Sequence, residues 1–207
     1  MLDSLEFEFK IKPTTDSELN HYVVEFCGEA LYWDDERGED RDIGVIRGVR
    51  VDIARVRMDE LDPGEIMDSI SPDISDFRET VFDQGVCYLP RLNEGLSCDK
   101  PRCGGLVYIS EVKVEPEFRG QGIGGELMRR MSELIDIEYC LIGLKAFPLS
   151  DDYGRARDEV EIQRVKHFYE KLGFEHAGKD FMLKDASQCH VMQKRLKARE
   201  ALQNHQV

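Results

Sequence analysis

The chain has 207 residues and a mass of 23.9 kDa, and its 41% hydrophobic and 34% charged residues are typical of a globular domain rather than a disordered chain. A net charge of −14 and a pI near 4.8 argue against nucleic acid and anionic membranes as partners, because both are bound through basic surfaces. No apolar run approaches the ~20 residues of a membrane-spanning helix, and the N-terminus lacks the cationic and apolar regions of an export signal. We therefore expect a cytoplasmic protein.

The acidity itself has two interpretations, a preference for a cationic substrate or simple solubility. The six cysteines are scattered, and in a cytoplasmic chain they are expected to be reduced thiols. The segment from Cys98 to Cys103 has two possible roles, binding a metal or closing a small disulfide loop. A zinc site needs about four ligands, however, and no second clustered pair is present, so we predict no metal.

The first third of the chain predicts three strands. Leu5–Lys12 alternates polar and apolar residues and ends at Pro13, and His21–Trp33 is rich in β-forming residues, with a bulge expected at Gly28. The charged segment DDERGEDRD then predicts a turn, and Ile43–Val56 predicts the returning strand of a long hairpin. We expect this acidic turn and the irregular stretch before Leu106 to contact the substrate.

The remainder predicts alternating helices and strands. The expected helices have apolar residues at helical spacing, and they cover SPDISDFRETVF (71–82), IGGELMRRMSELI (123–135) and EVEIQRVKHFYEKLGF (159–174). The expected strands are GLVYISEVKV (105–114), YCLIGLKAF (139–147), FMLKD (181–185) and CHVMQKRL (189–196). A strand, a helix and a second strand in succession predict an α/β arrangement with a parallel pair at its centre.

A glycine-rich turn opens the second of these helices. Gly120, Gly122 and Gly125 satisfy GxGxxG, but the dinucleotide fingerprint follows its strand directly and needs an acidic residue about 20 positions later, and neither condition holds. A P-loop is excluded because no Lys-Ser/Thr follows the glycines. Arg119, Gly122 and Gly124 instead fit the pattern R/QxxGxG/A. Unpaired N–H groups at a helix start favour an anionic ligand, so we expect a phosphate here.

At these residues the sequence resembles the GNAT superfamily of acyl-CoA N-acyltransferases. HFYEKLGF resembles the late-helix pattern of the same superfamily, and the two motifs occur in the family's order with a strand between them. The resemblance covers roughly 106–196. It implies an α/β (α+β) fold with a mixed central sheet, splayed between two parallel strands and flanked by helices. It also implies a single domain over 1–207, with a variable acceptor-side half (1–105) and an acyl-CoA-binding half (106–196).

The resemblance also implies roles for individual residues. Backbone groups of Val112 and Val114 would pair with the pantetheine arm of acetyl-CoA, and Tyr169 would protonate the departing thiolate. A phenol suits that task, because it stays protonated at neutral pH and is about as acidic as a thiol. The alternative is a core tyrosine. The pyrophosphate would be held by the loop comprising Arg119, Gly120, Gln121, Gly122, Ile123 and Gly124.

The proton acceptor for the substrate is less clearly marked. A primary amine must lose a proton before it attacks, and Glu111 stands on the central strand where many relatives carry a carboxylate. Strict alternation places Glu111 on the face opposite to Val112 and Val114 unless a bulge intervenes. The alternative is an ordinary carboxylate paired with Lys113 or another neighbour.

The sequence thus predicts an N-acetyltransferase that moves an acetyl group from acetyl-CoA to a primary amine, by direct attack in a ternary complex. The acceptor would be a small molecule, a peptide or a lysine, and the acidity is compatible with a cationic one. No metal, nucleic acid or membrane is expected, and a homodimer is compatible with the resemblance. The alternative is a non-catalytic acyl-CoA-binding module with a regulatory or interaction role.

Overall fold

A computed structural model describes residues 5–83, 87–88, 104–147 and 158–186. Its centre is a seven-stranded mixed sheet. The strands are β1 Glu6–Pro13, β2 Val23–Asp34, β3 Glu39–Val51, β4 Gly105–Val114, β5 Cys140–Lys145, β6 Glu175–Gly178 and β7 Phe181–Asp185. Their order in the sheet is β1-β2-β3-β4-β5-β7-β6. A separate two-stranded ladder joins Phe82–Asp83 to Cys87–Tyr88.

Five helices are described around this sheet. They are α1 Ile53–Met58, α2 Pro63–Ile70, α3 Pro72–Val81, α4 Ile123–Leu134 and α5 Glu159–Lys171, with a 3₁₀ turn at Pro116–Phe118. Side-chain caps start several of them: Ser71 Oγ accepts the N–H of Ile74 at the start of α3, and Asp158 accepts the N–H of Val160 at the start of α5. The three helices expected from the sequence are confirmed within a few residues.

The long β2–β3 hairpin is confirmed, with two corrections. The register shift of β2 lies between Ala30 and Leu31 and not at Gly28; Gly28 is required instead because a Cβ there would lie 2.3 Å from the Phe9 ring. The third strand also ends at Val51 and not at Val56. Asp52 accepts the N–H of Arg55 at 3.0 Å and starts α1, so a local cap overrides the apolar alternation that predicted a longer strand.

Helices cover both faces of the sheet. On one face α4 and α5 pack on β2–β5 around Ile46, Ile109, Leu127 and Ile142. On the other face α1–α3 pack on β3, β4, β5 and β7 around Phe77, whose ring lies 2.3 Å from the position of a Cβ at Gly143. The α/β fold class is therefore confirmed, and the candidate site lies between two helical layers.

The two central strands are parallel and diverge. β4 pairs with β5 in parallel from Gly105↔Cys140 to Ile109↔Leu144, and the described residues show no β5 partner for β4 beyond Ile109. The predicted parallel pair, joined by α4, and its splay at one end are confirmed. Strand β6 was not predicted, because four residues of sequence EHAG carry no clear alternation; the strand expected at 189–196 lies outside the described residues. None of the described helices has the length and apolarity needed to cross a membrane.

Candidate functional site

A register shift in β4 determines which way its side chains point. Ile109 lies opposite Gly48 of β3 and Glu111 opposite Arg47, so Ser110 is the extra residue of a β-bulge. Before the bulge, Ile109 packs toward α4 and α5; after it, Val112 and Val114 pack against the same cluster. Glu111 therefore points to the opposite face, where it contacts Arg47. Without the bulge, Glu111 would share the face of Ile109.

The backbone of β4 is open toward β5 where the strands diverge. The N–H of Glu115 donates to the carbonyl of Ile43 at 2.9 Å, so the opposed residues Val114 and Gly44 form a non-hydrogen-bonded pair. The backbone N–H and C=O of Val114, and of Val112 two residues earlier, therefore point away from β3. The carbonyl of Val114 accepts a hydrogen bond from Arg119 Nε at 2.9 Å. The splay thus presents strand-edge groups to an extended ligand.

The glycine-rich loop leads from the end of β4 into α4. Gly120 (φ +76°) and Gly122 (φ +86°) adopt the left-handed conformation that favours glycine, and Gly122 is the N-cap of α4. The N–H of Glu126 bonds to the carbonyl of Gly122 at 3.0 Å. Among the described residues, no hydrogen bond outside the helix uses the N–H groups from Gly120 to Gly125. These donors, at the positive end of a helix dipole, fit an anionic group.

Gly124 has a packing role in addition to its place in the loop. A Cβ at this position would lie 3.2 Å from the Phe168 ring and 3.8 Å from Val112. Gly124 is buried, and its missing side chain lets the start of α4 pack closely on α5 and β4. A Cβ at Gly125 would meet nothing within 4 Å.

Tyr169 lies on α5 in the same apolar cluster as Ile109 and Leu144, the last paired residues before the splay. It is 6% exposed, and its ring packs edge-on against Phe168 (5.0 Å) and Phe174 (5.7 Å). Burial raises the pKa of the Tyr169 phenol, so it is protonated throughout the neutral range. Its hydroxyl has no hydrogen-bond partner among the described residues, where no fully buried polar side-chain atom lacks one.

Glu111 is held by an arginine rather than by Lys113. Arg47 Nη1 donates a hydrogen bond to the Glu111 carboxylate, whose side chain is 24% exposed. Arg47 also lines an open groove of about 510 Å³ on this face, together with Lys10, Lys12, Cys27 and Ser110. The carboxylate thus contacts a residue that lines the groove, on the side of the sheet away from Tyr169.

Two further residues at the splay were not singled out from the sequence. Arg47 stands 64 residues before Glu111, and no local pattern marks it. Tyr108 is 2% exposed beneath α3, with its ring 5.4 Å from that of Phe77. Burial, together with the charges of Asp73 and Asp76, raises the pKa of Tyr108.

The described residues hold no group of three His, Cys, Asp or Glu side chains arranged for a metal ion. Cys98 and Cys103 lie outside the described residues. Cys27 and Cys140, which the structure does describe, are not joined in a disulfide.

Comparison with known protein families gives a match over part of the chain. Residues 84–176 match the family model described as an acetyltransferase (GNAT) domain, whereas no curated protein matches the chain.

Solved structures with similar folds include NAA60 of Arabidopsis thaliana in complex with acetyl-CoA (16% identity, 86% of this chain and 96% of that one, TM-score 0.40). They also include AtaTR bound with AcCoA (9% identity, 92% and 98%, TM-score 0.44) and the KacTA–DNA complex (9% identity, 92% and 99%, TM-score 0.45). At TM-scores below 0.5, these similarities support no inference about the substrate or partners of this chain.

Proposed function

Because residues 84–176 match the acetyltransferase (GNAT) family model, we propose that the chain transfers the acetyl group of acetyl-CoA to a primary amine by direct attack in a ternary complex. The match supports an acetyl-CoA-dependent acyltransferase; the amine acceptor, the direct attack and the residue roles are the proposal. One observation supports it most: the open backbone edge of Val112 and Val114 leads directly to the unpaired N–H groups of the loop at the start of α4.

The loop and the strand edge suit the two ends of the donor. Acetyl-CoA carries a pyrophosphate and an extended pantetheine arm that ends in a thioester. In the proposed complex the N–H groups from Gly120 to Gly124 bind the pyrophosphate, and the edge of β4 at Val112 and Val114 bonds to the amides of the arm. The left-handed φ angles of Gly120 and Gly122 turn the backbone so that its N–H groups converge on an anion.

Tyr169 is proposed as the proton donor. Transfer forms a C–N bond and breaks the C–S bond, which leaves a thiolate that must be protonated. The Tyr169 hydroxyl belongs to the cluster at the splay and is not engaged by a described partner. Burial raises the pKa of the Tyr169 phenol. The same apolar surroundings disfavour the charged thiolate and so raise the pKa of the departing thiol as well, which keeps the two groups similar in acidity.

Glu111 is proposed as the acceptor of the amine proton, directly or through water. Its position on the face opposite to Tyr169 places the amine and the departing thiolate on different sides of the splayed strands. The Glu111 carboxylate already accepts a hydrogen bond from Arg47. We therefore expect the positioning of amine and thioester to supply much of the acceleration.

The acceptor is proposed to approach on the α1–α3 side, beside Glu111 and Tyr108. The charges of Asp73 and Asp76 reach Tyr108, and with the net charge of −14 they favour a cationic acceptor.

We also propose that the chain is one domain over 1–207, in which 1–105 shapes the acceptor side and 106–196 binds the donor. Cys27 and Cys140, which are not joined in a disulfide, suit a reducing, cytoplasmic location.

A screen of amines with acetyl-CoA tests the proposal, with release of free thiol as the readout. Small polyamines, peptide N-termini and lysine-containing peptides form the acceptor set. Acceptor-dependent thiol release supports the transferase. If the protein binds CoA in a calorimetric titration and releases no thiol with any acceptor, the alternative of a non-catalytic acyl-CoA-binding module is favoured. Absence of CoA binding would contradict both.

A further inference from the structure

The end of the β2–β3 hairpin that carries the acidic segment contacts the 3₁₀ turn before the glycine-rich loop. Tyr32 and Arg41 are directly opposite each other in the hairpin, and both contact Phe118, in the 3₁₀ turn before the loop. The Tyr32 and Phe118 rings are 5.7 Å apart, and the Arg41 guanidinium lies 5.5 Å from the centre of the Phe118 ring. Arg41 also donates a hydrogen bond to the carboxylate of the neighbouring Glu117.

The contacted turn connects directly to the loop. The N–H of Arg119 bonds to the carbonyl of Pro116 at 3.3 Å, and Gln121 Nε2 donates to the carbonyl of Glu117 at 3.2 Å. Glu117 therefore connects the hairpin to the loop: its carboxylate accepts a hydrogen bond from Arg41, and its carbonyl accepts one from Gln121. Two contacts lower the pKa of the Glu117 carboxyl: the hydrogen bond from its own backbone N–H contributes most, and the hydrogen bond from the Arg41 guanidinium comes second. The ion pair of Arg41 and Glu117 is therefore formed at neutral pH.

We propose that the cross-strand pair of Tyr32 and Arg41 clamps the Pro116–Phe118 turn, and that Arg41 and Glu117 are thereby positioning residues for the pyrophosphate of acetyl-CoA. The proposal rests on the acyl-CoA site proposed above. It gives the acidic turn a role on the donor side, whereas the sequence suggested substrate contacts there. Neither residue needs to touch the ligand, because the clamp fixes the backbone from which the loop N–H groups project.

The size of these contacts determines what the clamp can do. The Arg41 and Glu117 side chains are 37% and 51% exposed, and ion pairs of this kind contribute little to global stability. A displacement of about 1 Å at a binding site, in contrast, is enough to reduce catalysis by up to about 10²-fold. The clamp is therefore expected to change donor affinity and to leave the melting temperature almost unchanged.

The test uses Arg41→Met, Glu117→Gln and, as matched control, Arg37→Met. Arg37 lies in the same turn, and its described ion pair is with Asp34 of that turn. We expect Arg41→Met and Glu117→Gln each to weaken calorimetric CoA binding by about tenfold. With S-acetylpantetheine, which lacks the pyrophosphate, kcat/KM should stay within about twofold of the wild type. Arg37→Met should match the wild type with both donors.

Three outcomes would overturn the clamp. Unchanged CoA binding in Arg41→Met would show that the contact does not matter. Equal losses with acetyl-CoA and S-acetylpantetheine would indicate a general structural defect. Normal or tighter CoA binding in Glu117→Gln would mean that Arg41 binds the phosphate itself, because that substitution frees its guanidinium. Failure of the proposed acyl-CoA site is distinguishable, since the wild-type protein would then bind no CoA, and failure of acetyl transfer alone would leave CoA binding intact and release no thiol.

Discussion

Arg47 and Glu111 lie opposite each other on β3 and β4, and Arg47, which lines the groove, donates a hydrogen bond to the Glu111 carboxylate. Glu111 is either the acceptor of the amine proton or half of a purely structural ion pair, and the two roles predict different kinetics. If Glu111 accepts the amine proton, Glu111→Gln should lower kcat/KM at neutral pH by about 10²-fold or more. Arg47→Met should preserve most of the activity, because the carboxylate remains.

If the pair is only structural, both substitutions should cost the same small stability, about 1 kcal/mol or less for a partly exposed ion pair, and neither should change turnover. The measurement is kcat/KM with the best amine acceptor, accompanied by thermal melting of each variant. Full activity of Glu111→Gln across neutral pH would remove Glu111 from the mechanism.

Tyr169→Phe removes one hydroxyl and keeps the ring against Phe168 and Phe174. The hydroxyl has no described hydrogen-bond partner to lose, so CoA affinity and melting temperature should barely change. Turnover should fall by roughly 10²- to 10³-fold if the phenol protonates the thiolate. Because burial raises the Tyr169 pKa, wild-type activity should show no loss from ionisation of this phenol between pH 7 and about pH 10.

An unchanged kcat in Tyr169→Phe, once acetyl transfer and not product release is shown to limit the rate, would identify Tyr169 as a core residue. Single-turnover measurements of acetyl transfer make that distinction.

Gly124 and Gly125 are neighbours with opposite expected responses to alanine. At Gly125 a methyl group meets nothing within 4 Å, so Gly125→Ala should stabilise α4 by about 0.5–1 kcal/mol through reduced backbone entropy. At Gly124 the same group lies 3.2 Å from the Phe168 ring, and Gly124→Ala should be destabilising by about 1 kcal/mol or more. Chemical denaturation of both variants tests the contrast; equal stability would refute the packing role of Gly124.

Glu126, in the first turn of α4, gives a prediction for acid stability. Hydrogen bonds from Arg129 contribute most to lowering the pKa of Glu126, and a hydrogen bond from Arg130 contributes less; together they lower it to about 2. A depressed carboxyl pKa contributes stability that is complete above the ordinary pKa of 4.5 and is lost as the pH falls toward 2. Its size is about 1 kcal/mol, as for surface ion pairs.

Glu126→Gln should therefore flatten this part of the pH profile of unfolding free energy between pH 4.5 and 2 and lower stability at neutral pH. Glu133→Gln, on the same helix and paired with Arg129, is the control and should have the smaller effect. Profiles of wild type and Glu126→Gln that stay parallel down to pH 2 would contradict the assignment.

The sequence by itself determined the features that depend on nearby residues. The boundaries of β4 and the starts of α3 and α4 were predicted because apolar spacing, the cap at Ser71 and the glycines before Ile123 act within a few positions. The same locality explains the error at β3, where alternation through Val51 and Ile53 predicted a strand that the Asp52 cap converts to helix. The R/QxxGxG/A pattern located the loop for the same reason.

Only the tertiary structure decided which groups meet at the site. The bulge at Ser110 depends on the register of β4 against β3, and that register reverses the face on which Glu111 lies. The partner of Glu111 is 64 residues away and the turn at Glu117 is held by a residue 76 positions earlier. Such contacts follow from strand pairing and helix packing across the whole chain, and no periodicity within a short window encodes them.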